Sequence, residues 1–337
     1  MVSLNIVQDS NARIAALPKG LVALFIGATS GIGQSTLRQL AQHAQSPRIY
    51  TVARPQTAES HEAFLSSLRK TNPNGTYALV RADHALVSDI DKAVDAVLAK
   101  ESKLDVLFLS AGFIAFEGRE NTAEGLDPSM STRYYTRLRA LQRLLPLLNN
   151  AANPRVVSVL AAGMENAINE DDLDLRQPGN WAFWPASVHA TTMGTLALEV
   201  LARENPKLSI VHLFPGAVAT PGLQRARKFG IAVSEEMSVE EAGARGLFLA
   251  TSDRYATEGG EGLVPVPEGL DAVKKSGGGI FLVDPQGEAI DNEKGLVDMR
   301  KRGVDGKVWK FTLGLFDDIV TQLNRFNVQI AFYYGQT

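Results

Sequence analysis

The chain has 337 residues and 45% hydrophobic content, enough for one large α/β unit or two small ones and too apolar for global disorder. Its formal net charge of −3, from 34 basic and 37 acidic residues well interspersed, gives no electrostatic footprint for nucleic acid or an anionic membrane, which leaves a small molecule as the expected partner. There is no cysteine, so disulfides, thiolate catalysis and a thiolate-bound zinc are excluded, and no metal is expected.

In the first twenty residues Asp9 and Arg13 interrupt any apolar run, so no signal-peptide core is expected. No later run approaches the roughly 18 apolar residues of a membrane span, and the expected location is the cytoplasm. From residue 21 short apolar runs take over: LVALFIGA (21–28), RIYTVAR (48–54), TYALVRAD (76–83), LDVLFLSAG (104–112), PRVVSVLAAG (154–163) and LSIVHLFPG (208–216). Their Val, Ile, Leu and Phe content with little alternation suits strands buried on both faces of a parallel sheet. A seventh candidate, GGIFLVDP, comes at 278–285.

Helical patterns separate the runs, as in VSDIDKAVDAVLAKES, where Ile90, Val94, Val97 and Leu98 share a face and Ser88 is the expected N-cap. Strand and helix alternating this regularly predict an α/β fold, a single doubly wound parallel sheet with helices on both faces. One domain is expected over 1–337, with a core at about 20–250 and a C-terminal lid or extension at 251–337. Two long segments break the alternation, the polar, acidic 163–185 and the Gly- and Pro-rich 251–279, and both are expected to serve as lids or binding loops.

FIGATSGIGQSTLRQL reads as strand, glycine-rich turn and helix. Gly27, Gly31 and Gly33 let the backbone approach a pyrophosphate at the helix N-terminus, and Thr29, Ser30 and Ile32 complete the turn. The second strand ends on Arg54, not on an acid that would bind a ribose 2′-hydroxyl, which favours the 2′-phosphate of NADP(H). Asp83 is expected near the adenine, and Ser110, Ala111 and Gly112 along the cofactor's ribose.

GATSGIG, RAD, LSAG and FPGAVAT, in this order, resemble the short-chain dehydrogenase/reductase family over roughly residues 20–225, with features of a branch common in filamentous fungi. The resemblance implies a Rossmann fold, Pro215, Gly216, Val218 and Thr220 beside the nicotinamide, and association through the helices at 130–148 and 186–204, hence a homodimer. It also implies an asparagine, serine, tyrosine and lysine that orient a carbonyl and deliver a proton. Those four places fall near Arg133 and on Ala161, Trp184 and Val188, and no lysine occurs between Lys103 and Lys207.

Substitute proton donors or hydrogen-bonders are therefore sought in His189, Tyr134, Tyr135 and Ser158. Glu165 and the following acidic run read as a solvated loop. Trp181, Phe183 and Trp184 suit either a bulky apolar ligand or plain packing. Three readings stay open: an NADP(H)-dependent oxidoreductase that reduces a carbonyl on a hydrophobic small molecule of secondary metabolism, a non-redox dehydratase, isomerase or cyclase on the same scaffold, and a non-catalytic NADP(H) sensor.

Overall fold

The computed structural model describes residues 1–112, 115–257 and 262–334, with side chains up to residue 325. Seven parallel strands form one sheet: β1 (Val22–Ile26), β2 (Arg48–Ala53), β3 (Thr76–Arg81), β4 (Val106–Leu109), β5 (Arg155–Val159), β6 (Ser209–Leu213) and β7 (Phe281–Val283), in the order β3-β2-β1-β4-β5-β6-β7. Each strand lies inside a run anticipated from the sequence. β7 comes from the segment assigned to the extension, yet it pairs with β6 at the edge of the sheet.

The helices are α1 (Leu4–Ala12), α2 (Gly31–His43), α3 (Pro55–Thr71), α4 (Val87–Leu98), α5 (Pro128–Met130), α6 (Thr136–Asn150), α7 (Phe183–Glu204), α8 (Pro221–Lys228), α9 (Val239–Thr251), α10 (Glu293–Lys301) and α11 (Val304–Tyr334). The absence of polar alternation in the strands comes from coverage on both sides. In β1, Val22, Leu24 and Ile26 join the core under α4, α6, α7 and α11, while Ala23 and Phe25 join the core under α2 and α9. Helix α4 lacks the expected Ser88 cap. The Glu124 carboxylate accepts from Val87 N and Ser88 N at 2.6 and 2.9 Å instead.

Between α5 and α6 the chain makes a π-helical turn, Ser131–Tyr135. A π turn takes in one residue more than an α turn and so rotates the succeeding residues relative to a regular helix, a feature common at functional sites. Here it directs Arg133 and Arg137 toward the carboxyl ends of the strands and the tyrosines between them elsewhere.

The C-terminal extension packs against the helices on one face of the sheet. Among the described residues, none from 251 to 337 lines the nucleotide groove or the apolar cavity beside it. Its apolar side chains are used in packing: Val308, Trp309, Phe316 and Ile319 of α11 are buried in the core with α4, α6 and α7. Tyr134 Oη lies 2.6 Å from Thr312 Oγ1, and the Arg139 guanidinium sits over the Phe316 ring. Helix α11 thus packs on the helices through which association was expected. No helix among the described residues is long and apolar enough to cross a membrane.

Candidate functional site

The sheet order reverses direction between β1 and β4, and the loops after these two strands diverge to open a crevice there. Gly27, Thr29, Ser30, Gly31, Ile32 and Gly33 form one wall of a groove; Arg54, His84, Ser110, Ala111, Gly112 and Thr220 are among the residues that complete it. The glycines are required by proximity. A Cβ on Gly27, whose φ is +107°, would lie 2.1 Å from Ala111 N, and one on Gly33 would lie 2.3 Å from Ser110 Oγ. Helix α2 starts at this cradle with no side chain capping it, so its first N–H groups are available to an anion. These residues fit a dinucleotide phosphate.

Asp83 is absent from this lining. Its carboxylate accepts from Ala85 N at 2.9 Å, fixing the turn into α4, and the neighbouring His84 takes the groove position. Burial and the nearby Arg54 and Arg137 charges push His84 down to about 4, so its ring is neutral at physiological pH.

A cavity of about 490 Å³ adjoins the groove and shares Ile32, Ser110, Gly112, Val159, Thr220 and Gly222 with it. Pro215, Gly216 and Val218 line the cavity, as do Trp184 and Val188, the residues at the tyrosine and lysine places. An aromatic cluster adjoins it through the lining residues Phe183 and Trp184: Phe116 stacks on Phe229 at 4.1 Å between ring centres and lies 4.6 Å from Phe183, which is 4.9 Å from a largely exposed Trp184. A larger groove of about 870 Å³ beside α11 shares no lining residue with the nucleotide groove.

None of the four substitute donors lines this cavity. His189 is buried on the far side of α7, where Nε2 pairs with Leu173 O at 3.0 Å and Nδ1 accepts from Asn169 N; desolvation lowers its pKa. The imidazole pins the 163–182 segment to the helix. Tyr134 is bound to Thr312, and Tyr135 Oη donates to Asp174 at 2.7 Å. Burial raises both phenols further above their ordinary range, the wrong direction for a proton donor at neutral pH. Ser158 faces away as well, and its hydroxyl accepts from Arg137. The acidic segment is not a solvated loop. Glu165, Asp172 and Asp174 are buried, and Glu165 accepts from Thr195 Oγ1 at 2.7 Å and from Asn292 Nδ2 at 2.6 Å.

What the cavity does contain is three guanidinium groups, those of the exposed Arg225 and of the buried Arg133 and Arg137. Arg137 donates from Nε to Thr132 O at 3.1 Å, from Nη1 to Ser158 Oγ at 3.0 Å and Val159 O at 2.8 Å, and from Nη2 to Ala111 O. Arg133 donates from Nη1 to Ser187 Oγ at 2.9 Å. Neither forms an ion pair with a carboxylate among the described residues. Burial lowers Arg133 to about 10, and burial together with the Arg133 charge lowers Arg137 to about 9; both remain cations at neutral pH. Sequence reasoning puts Arg133 at the asparagine place without giving it a role, and it passes over Arg137. The signal was available in their spacing of four residues, one helical turn.

The family model described as short chain dehydrogenase matches residues 21–229. The chain belongs to this family. Among curated relatives it is 63% identical, over 94% of its length and 95% of the other's, to the "NmrA-like family domain-containing oxidoreductase notO" of Aspergillus sp. (strain MF297-2). It is 39% identical to "Oxidoreductase AN1596" of Emericella nidulans, over 95% and 99% of the two chains. Among solved structures, a short chain dehydrogenase from Burkholderia cenocepacia J2315 in complex with NADP superposes with a TM-score of 0.52 at 20% identity, covering 69% of this chain and 91% of that one. Within the short chain dehydrogenases, then, this chain keeps the fold and the glycine cradle but carries tryptophan, valine and arginine where the catalytic tyrosine, lysine and asparagine are expected.

Proposed function

We propose that the protein is an NADP(H)-dependent reductase acting on an apolar small molecule of fungal secondary metabolism. The observation that carries this reading is the shared wall: the groove with the glycine cradle opens into the apolar cavity through six common residues. A sensor would have no use for that cavity. Arg54 at the groove, with no acid at the end of β2, supports the phosphorylated cofactor, the form present in the Burkholderia structure.

When bound, the nicotinamide would supply a hydride. The chain's own residues bind and orient. Arg54 and the N-terminus of α2 take phosphate charge. Phe116, Phe183, Trp184 and Phe229 exclude water beside the cavity. Ser187 and Thr191, both in the cavity lining, offer hydroxyls that relay a proton from solvent.

Binding is tested by titrating the protein with NADPH and NADH, and turnover by following NADPH absorbance with a panel of apolar ketones, enones and imines. A protein that binds NADPH weakly or not at all defeats the proposal. A second reading, non-redox chemistry with the cofactor held but unchanged, is favoured by one observation: among the described residues no phenol, imidazole, amine or carboxylate lines the cavity. Substrate conversion at constant NADPH absorbance would select it.

A further inference from the structure

The half-buried arginines Arg119, Arg139 and Arg300 pair with Asp174, Asp91 and Glu199, and the buried Arg254 pairs with Glu288. Such pairing is expected, because an unpaired ion in a low-dielectric interior costs several kcal/mol even after relaxation. Arg155 is one exception, satisfied by Tyr255 O, Ser252 O and Ser209 Oγ. The Asp253 charge nearby also favours its cationic form, as the Asp127 charge does for Arg133.

Arg133 and Arg137 differ from Arg155 in two respects. They line a cavity, and they are two like charges four residues apart, the Arg133 charge making Arg137's cationic form less favourable. Arg137 is held rigidly, four of its five N–H groups being committed to fixed oxygens, which leaves one on Nη2. Arg133 commits one N–H to Ser187 and has four left. Rigid and adjustable cationic donors side by side, with no carboxylate among the described residues in ion-pair contact with either, suit a ligand oxygen that carries negative charge.

The geometry points to Arg133 and Arg137 as an oxyanion anchor, so that the molecule taken by this cavity is an apolar acid, docked through a carboxylate or ionised enol oxygen. This rests on the cavity being the substrate site of the proposed reductase.

The test uses full-length protein and calorimetric titration with naphthoate and its neutral amide, naphthamide, which share a ring system and differ in charge. Wild type is expected to bind naphthoate about tenfold or more tightly than naphthamide, as charge-assisted hydrogen bonds imply. Arg133→Gln is expected to remove most of that preference. Should this variant fold poorly, Val188→Glu serves instead, because a carboxylate built into the cavity is expected to abolish naphthoate binding while naphthamide still binds. Equal affinity for the two probes in wild type, or a preference that survives in the folded variant, overturns the inference. A separate NADPH titration of wild type keeps the two proposals apart. Anion preference without cofactor binding defeats only the reductase, and cofactor binding without anion preference defeats only the anchor.

Discussion

Arg137 Nη1 donates to the Ser158 hydroxyl at 3.0 Å, so the serine at the end of β5 orients a guanidinium and not a substrate carbonyl. Ser158→Ala removes one acceptor from a fully buried cation, and the expected cost is about 1–3 kcal/mol of folding stability. Urea denaturation measures it. NADPH affinity should stay unchanged, whereas a serine acting on substrate would show its effect in turnover alone.

Val188 and Trp184 occupy the cavity wall from which lysine and tyrosine would act. Val188→Lys should not restore ordinary family chemistry, since the new ammonium shares the cavity with the buried guanidinium groups of Arg133 and Arg137 and with Arg225. The expected result is a loss of about 1–3 kcal/mol, partly relieved when Arg133→Gln is added. Chemical denaturation of both single variants and the double variant closes the cycle, and strictly additive losses would count against charge repulsion.

Arg54 lines the phosphate groove, where its charge is available to a bound phosphate. Arg54→Glu should weaken NADPH binding by about tenfold to a hundredfold and leave NADH affinity equal or improved. Fluorescence titration with the two nucleotides reads the ratio directly.

His212 is buried under the cavity floor, where Nδ1 meets Thr195 Oγ1 at 2.9 Å and Nε2 accepts from Ala161 N. The groups facing it are Glu165, at 3.7 Å, and the Arg137 charge; desolvation outweighs the carboxylate and lowers its pKa from the ordinary 6.5. The unfolded chain therefore takes up a proton near pH 6.5 that the folded chain refuses. Stability should be full above that value and fall as pH drops toward 5, and the same sign holds for His84 and His189. Urea midpoints at pH 7.5, 6.5 and 5.5 measure the slope in this window, roughly the span set by the ordinary histidine pKa. His212→Gln should flatten it.

The strands were legible in the sequence because burial on both faces leaves continuous apolar runs, and the cradle because Gly27 and Gly33 are required by backbone proximity. The directions of individual side chains were not legible. Tyr134 and Tyr135 were expected to project a phenol into the crevice, but one residue accommodated by the π turn rotates the following register by about 100°, the angle of one residue in an α-helix. The partner that fixes Tyr134, Thr312, lies 178 residues away in α11, and Arg119 reaches Asp174 across 55. Local patterns carry no trace of such pairings. His189 was misread for the same reason, since its tie to Leu173 O depends on how the 163–182 segment folds back over α7.

Helix α11 covers faces of α4, α6 and α7 that would otherwise present apolar surface, and it is tethered to them by the same polypeptide. Mass action therefore has no hold on this contact. Where a second subunit would make stability depend on protein concentration, the covering element is supplied at a fixed effective concentration by the chain itself. Arg133 on the π turn and Arg137 in the first turn of α6 are thus buttressed from behind, through Tyr134 and Thr312, by a unimolecular interaction that dilution does not weaken.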